Sequence, residues 1–266
     1  MTSKASVSEL QTLFAQLLLF GSFIWSFNLG IAVHEFGHML AIWSVGITEV
    51  NVVLHPFLPS FTVWNVDNSY IGYVDALGPL FNVGLSSLVL ALVWRKRQPM
   101  LLPLLLWAPI AYFSEGISMV VGLLSMGSDA QRIVTAGVPA GLVVSIGIMG
   151  MVLGIITLYL LFPLISISPT DSLSRKVSIL GEGLGLYMFF ITVYAFLLYP
   201  PSLSRNLSLF IAISLLVVIL AVSYKPVYQR LNQISHTEII PIKKSAVWIA
   251  LILAGAIVVF QLGFFN

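Results

Sequence analysis

The sequence predicts an all-α polytopic membrane protein of about seven transmembrane helices, with a short re-entrant or interfacial β-hairpin between the first two. Three observations predict it. Hydrophobic residues make up 59% of the 266 and charged residues only 8%, against roughly 25% charged in soluble domains. The apolar residues gather into runs long enough for a bilayer core of about 30 Å, which takes about 20 residues per helix. Those runs are continuously apolar rather than alternating, which argues against a β-barrel. The balance of 12 Lys and Arg against 10 Asp and Glu carries no signature of a nucleic-acid partner. With no cysteine in the chain, disulfides, thiolate metal sites and cysteine nucleophiles are excluded.

The first run, 12–44, has an apolar part too long for a signal peptide and ionisable residues near its far end, so it reads as a retained helix. The stretch 45–73 follows. Val50, Val52 and Leu54 alternate with Asn51, Val53 and His55, then Phe61, Val63, Asn65, Tyr70 and Tyr73 appear among Pro and Asn-Ser breaks. This pattern reads as short strands or a hairpin at the interface. The second span, 74–94, carries Gly78-Pro79 at its start, where a proline fits a helix's first turn. The third is 100–125. The fourth, 131–165, is longer than one crossing needs, and Pro139 between Gly137 and Gly141 predicts a kink or a broken start. Runs at 179–199, 205–223 and 245–264 complete the seven.

Positive charge sorts the two sides. With seven spans, Lys4, Arg95, Lys96, Arg97, Arg175, Lys176, Lys225, Arg230, Lys243 and Lys244 share one side, against Arg132 and Arg205 on the other. The first side is therefore expected to be cytoplasmic and to hold the N-terminus of a multi-pass protein, most naturally of the cell membrane. The hairpin stretch, with Glu49 and Asp67, then falls outside.

A charge inside lipid costs several kcal/mol, so each ionisable residue there is a functional candidate. The densest group is His34-Glu35-Phe36-Gly37-His38. Histidines four apart on a helix share one face, so both rings can reach a single Zn2+ ion. Glu35, about 100° round the axis from His34, is close enough to act on a metal-activated water without being a ligand. A catalytic zinc takes a third protein ligand from elsewhere, and the candidates are Asp75, Glu115, Asp129, Glu182 and His55. Topology favours Asp129, at the junction of spans three and four, on the side where span one ends. Glu115 lies about 21 Å back along the same helix, so it reaches the site only if the metal sits very deep, and otherwise reads as a protonated acid bonding across helices near Ser114 and Ser118. Glu182, flanked by Gly181 and Gly183, reads as a helix-start or packing feature, and His55 before Pro56 as a loop residue. In Gly78-Pro79-Leu80-Phe81-Asn82, Gly78 permits close backbone approach. The Asn82 amide there is placed either to hold a substrate carbonyl or oxyanion, or to bond between helices.

Taken together, these residues resemble the site-2 protease family of intramembrane zinc metalloproteases. The match rests on His34-Glu35-Phe36-Gly37-His38, on Gly78-Pro79-Leu80-Phe81-Asn82, and on Asp129-Ala130-Gln131-Arg132, which is similar to the family's Asp-Gly-Gly-Arg with Ala130 replacing glycine. The family's upstream Asn and Pro are absent, and Val121 and Leu124 stand near their places. The resemblance covers about 12–135, and no inserted PDZ-like domain is present. It implies a compact member with a catalytic membrane core over 1–135 and further helices of the same membrane domain over 136–266. The implied activity is cleavage of a transmembrane segment of another protein within the bilayer, with His34, His38 and Asp129 on zinc and Glu35 as base. Asn82, Gly78 and Pro79 would lie on the substrate side, and 45–73 would be the family's re-entrant sheet. The resemblance also implies a site nearer the cytoplasmic face, whereas the charge count places it externally. The competing expectation is a non-proteolytic metal-binding membrane protein or a transporter on the same fold, with Glu115 and Glu182 along a solute path.

Overall fold

The computed structural model describes residues 2–54, 61–63, 70–96, 98–124, 127–198, 217–227, 229–230 and 241–263. His55, Asn65, Asp67, Arg97, Arg205 and most of the expected span 205–223 lie outside the described residues. Long apolar runs become helices, because in an apolar setting every backbone N–H and C=O must be satisfied within its own segment. The helices are α1 (Thr2–Ser44), α2 (Ile71–Val93), α3 (Leu102–Val121), α4 (Asp129–Thr135), α5 (Ala140–Leu161), α6 (Leu173–Leu198), α7 (Val217–Val227) and α8 (Lys244–Gly263). Among the described residues, five helical stretches are long and apolar enough to cross a membrane: Glu9–Ser44, Ile71–Lys96, Pro99–Leu124, Ala140–Ile165 and Lys244–Leu262. Helices α6 and α7 are not among them.

Between α1 and α2, strand β1 (Asn51–Val53) pairs antiparallel with β2 (Phe61–Val63), with Val52 opposite Thr62. Pro139 breaks the fourth run as its sequence predicts. Helix α4 ends at Thr135, Gly137 takes φ of 103°, and α5 begins at Ala140 with the Pro139 carbonyl accepting from the Leu142 and Val143 amides. Pro79, in contrast, is not in a first turn. Helix α2 begins eight residues earlier, at Ile71, and Pro79 lies inside it. Lacking an N–H, Pro79 leaves the carbonyl one turn back without its helical donor.

The chain divides into two compact units. The first comprises Met1–Trp25, Val93–Leu106 and Leu158–Ile257. In it Tyr159, Phe162 and Tyr224 form an aromatic cluster. On α1, the Gln16 amide donates to Glu182 Oε2 at 2.7 Å, and Ser178 donates to Glu182 Oε1 at 2.7 Å. Glu182 is therefore a packing feature of the interior of α6 rather than of its start. Beside it, a Cβ on Gly183 would meet Leu19 at 3.0 Å.

The second unit comprises Ser26–Leu92, Trp107–Thr157 and Val258–Asn266. Two steric devices shape it. Gly37 of α1 lies against α2 so closely that a Cβ would be 2.8 Å from the Leu77 carbonyl. On α5, Gly147, Gly150 and Gly154 face α3 in one stripe, where added carbons would stand 2.7, 2.9 and 2.8 Å from the carbonyl oxygens of Gly116, Tyr112 and Pro109. Small residues of this kind let membrane helices touch backbone to backbone. That contact holds α3, and with it Glu115, in register.

Candidate metal centre

His34 and His38 lie on one face of α1 with their Nε2 atoms 3.0 Å apart. The His38 ring rests on Gly78, where a Cβ would approach it to 2.5 Å. Its Nδ1–H donates to the Val74 carbonyl at 2.8 Å. A carbonyl only accepts, so the hydrogen of a neutral His38 sits on Nδ1 and Nε2 presents a bare lone pair. His34 repeats the arrangement with a carboxylate, its Nδ1 lying 2.9 Å from Glu115 Oε1. With both rings neutral and Glu115 ionised, each turns an unprotonated nitrogen to the same point.

Asp129 arrives from a turn. Helix α3 stops at Val121, Gly122–Leu124 tighten into a 3-10 turn, and Gly127 takes φ of 79°. Ser128 then caps α4, accepting from the Gln131 amide and donating to the Gly122 carbonyl. As the first residue of α4, Asp129 places Oδ2 3.1 Å from His34 Nε2 and 3.5 Å from His38 Nε2. Its Oδ1 is 2.9 Å from Arg132 Nη2, and the same guanidinium nitrogen is 2.9 Å from Asp75 Oδ1. Asp75 is wholly buried. It serves as Arg132's counter-charge and lies outside the group that could hold a metal.

The donor set could hold a metal ion, and its spacing is compatible with tetrahedral coordination. With bonds of about 2.0–2.1 Å, neighbouring ligand atoms on a tetrahedral zinc stand about 3.3 Å apart. The three atoms here are separated by 3.0, 3.1 and 3.5 Å. His34, His38 and Asp129 form the group among the described residues able to hold an ion. Three lone pairs so close repel one another unless a cation lies between them. Protons are the other means of filling that place. With protonated rings, the Asp129 carboxyl, which burial alone would raise, is held well below the ordinary carboxylate range by hydrogen bonds from His34 and His38. The surroundings favour a cation in either case, since Asp129, Glu115 and Asp75 outnumber the single charge of Arg132.

Glu35 is buried, and its Oε2 accepts from the Thr62 hydroxyl of β2 at 2.6 Å. One expectation is corrected. Glu115 is not 21 Å from the site, because Asp129 is not on its helix: α3 ends at Val121, α4 begins at Asp129, and both carboxylates meet His34, one at each ring nitrogen. Of the two uses expected for Asn82, the structure shows the bond between helices: its side chain, 2% exposed, lies between α2 and α3. It donates to Glu115 Oε1 at 2.6 Å and accepts from Trp107 Nε1 at 3.0 Å. His55 lies outside the described residues.

Sequence reasoning missed Thr62, Val74, Trp107 and the role of Glu115. Only Glu115 carried a signal, as an acid within an apolar run. Comparison with protein-family models, with curated proteins and with solved structures finds no match.

Proposed function

We propose that this chain is an intramembrane zinc metalloprotease, cleaving transmembrane segments of other membrane proteins. The observation that carries the reading is the convergence of His34 Nε2, His38 Nε2 and Asp129 Oδ2 on one point, with Glu35 next to His34 in the same helix. A solute path joining Glu115 to Glu182 would not require that convergence. His34, His38 and Asp129 would hold zinc, which when bound lowers the pKa of its water towards about 7 and polarises a carbonyl. Glu35 takes the proton of the attacking water and delivers it to the leaving amine. Thr62 steadies the Glu35 carboxylate by donating to one oxygen, leaving the other for that proton. Arg132 occupies Asp129 Oδ1 and so keeps Oδ2 for the histidines.

A substrate helix hides its carbonyls in internal hydrogen bonds and must unwind before attack. The β1–β2 ladder, acting as the re-entrant hairpin, offers an edge where the freed backbone groups pair again. Helices α6 and α7 would supply the two spans that bring the total to seven. On the ten-to-two charge count the N-terminus lies in the cytoplasm and the metal centre near the external face.

The decisive experiment uses purified chain in proteoliposomes with a panel of single-span membrane proteins. Glu35→Gln is expected to abolish cleavage while zinc stays near one per chain. Undiminished cleavage by that variant overturns the reading.

A further inference from the structure

We propose that Trp107, Asn82 and Glu115 form a directional hydrogen-bond relay that sets the tautomer and orientation of the His34 ring for metal binding. The proposal rests on the metal reading of His34, His38 and Asp129. It makes Asn82 and Glu115 positioning residues, acting through His34.

The direction of the relay follows from hydrogen-bond chemistry. An indole N–H can only donate. Trp107 Nε1 lies 3.0 Å from Asn82 Oδ1, so the amide oxygen faces the indole and the amide flip is decided. Asn82 Nδ2, which can only donate, then faces Glu115 Oε1 at 2.6 Å. That oxygen must accept from Asn82, and in an ionised Glu115 it can only accept; it lies 2.9 Å from Nδ1 of His34, whose ring is neutral in the metal-binding form. His34 therefore carries its hydrogen on Nδ1. Its Nε2 is left unprotonated, on the side where His38 Nε2 and Asp129 Oδ2 stand.

One fixed polarity, that of the indole, is passed through two side chains to the ligating nitrogen. Trp107, Asn82 and Glu115 are 3%, 2% and 8% exposed, so water is poorly placed to substitute for any member. Reversing the chain at any point leaves a buried donor facing a donor or an acceptor facing an acceptor. The three residues come from two helices, α2 and α3, while the ring they orient is on α1. A carboxylate behind a ligating histidine also raises the basicity of the ligand nitrogen.

The test uses the full chain in detergent, titrated with Zn2+ against a competing chelator and loaded separately with Co2+ for its visible spectrum. Wild type is expected to bind one ion. Glu115→Gln keeps the shape of the side chain but not its charge, and is expected to weaken zinc binding by about 10- to 100-fold. Trp107→Phe removes the N–H that sets the direction and keeps a smaller aromatic ring in its place. It is expected to cause a smaller loss of affinity and a displaced cobalt spectrum, with helix content unchanged. Should Glu115→Gln fail to fold, Trp107→Phe alone carries the test. A wild type that binds no metal removes the metal reading itself. A wild type that binds one ion, beside a Trp107→Phe chain with the same affinity and cobalt spectrum, overturns the relay and leaves the metal reading intact.

Discussion

Alanine at position 78 would put its methyl carbon 2.5 Å from the His38 ring, in a contact that no rotamer of the alanine relieves. The ring must move, and with it the nitrogen that faces His34. Gly78→Ala is therefore expected to lose zinc affinity by 10-fold or more, while Gly84→Ala, on the same helix with nothing within 4 Å, retains wild-type binding; chelator competition measures both. Residue types in the HExxH pattern were legible because two imidazoles and a carboxylate within one helical turn are too costly in lipid to lack a role. Glu115 carried the same cost, and its partner could not be read. Distance along a straight helix is misleading here, because α3 ends at Val121, before Asp129, and Gly127 takes a φ of 79° between the two. Thr62 and Trp107 gave no signal of their own, because a threonine in a strand and a tryptophan in an apolar helix are ordinary in composition.

Helices α3 and α5 touch through backbone, and this contact supports the site from behind. A carbon added at Gly147 would lie 2.7 Å from the Gly116 carbonyl and 2.8 Å from Val120 Cγ2. Gly147→Ala is expected to destabilise the fold by about 1–3 kcal/mol through overpacking. Gly84→Ala should raise stability by about 0.5–1 kcal/mol, as alanine for glycine does in an uncrowded helix interior. Reversible unfolding in mixed micelles distinguishes the two signs. At this scale the existence and order of the long helices followed from run length, and the break at Pro139 followed from residue chemistry. The start of α2 did not. Pro79 reads locally as a helix start, and its acceptance in the interior depends on packing against α1, where Gly37 and Gly78 bring the two backbones together.

Within the second unit the histidines, Asp129, Glu115, Asn82, Trp107, Asp75 and Arg132 all meet. Gly147, Gly150 and Gly154 of α5 pack on α3 within the same unit and support the site from outside the HExxH helix. The proposed orientation is open to a direct test, since the chain contains no cysteine to interfere. Single cysteines at Lys96 and Thr135, both exposed positions, are expected to react oppositely with a membrane-impermeant maleimide applied to intact cells. Thr135→Cys should label from outside, and Lys96→Cys only after the membrane is opened. By itself the sequence determined that this is a helical protein rich in membrane-length apolar runs, with two histidines and a glutamate in one turn. Such properties depend on neighbours within a few residues along the chain, where periodicity and transfer free energy act. Only the tertiary structure decided which acid meets which nitrogen. Hydrogen bonds extend about 3 Å in space, whatever the sequence separation, and because α3 ends at Val121 and a new helix starts at Asp129, groups meet that a straight helix would have kept apart.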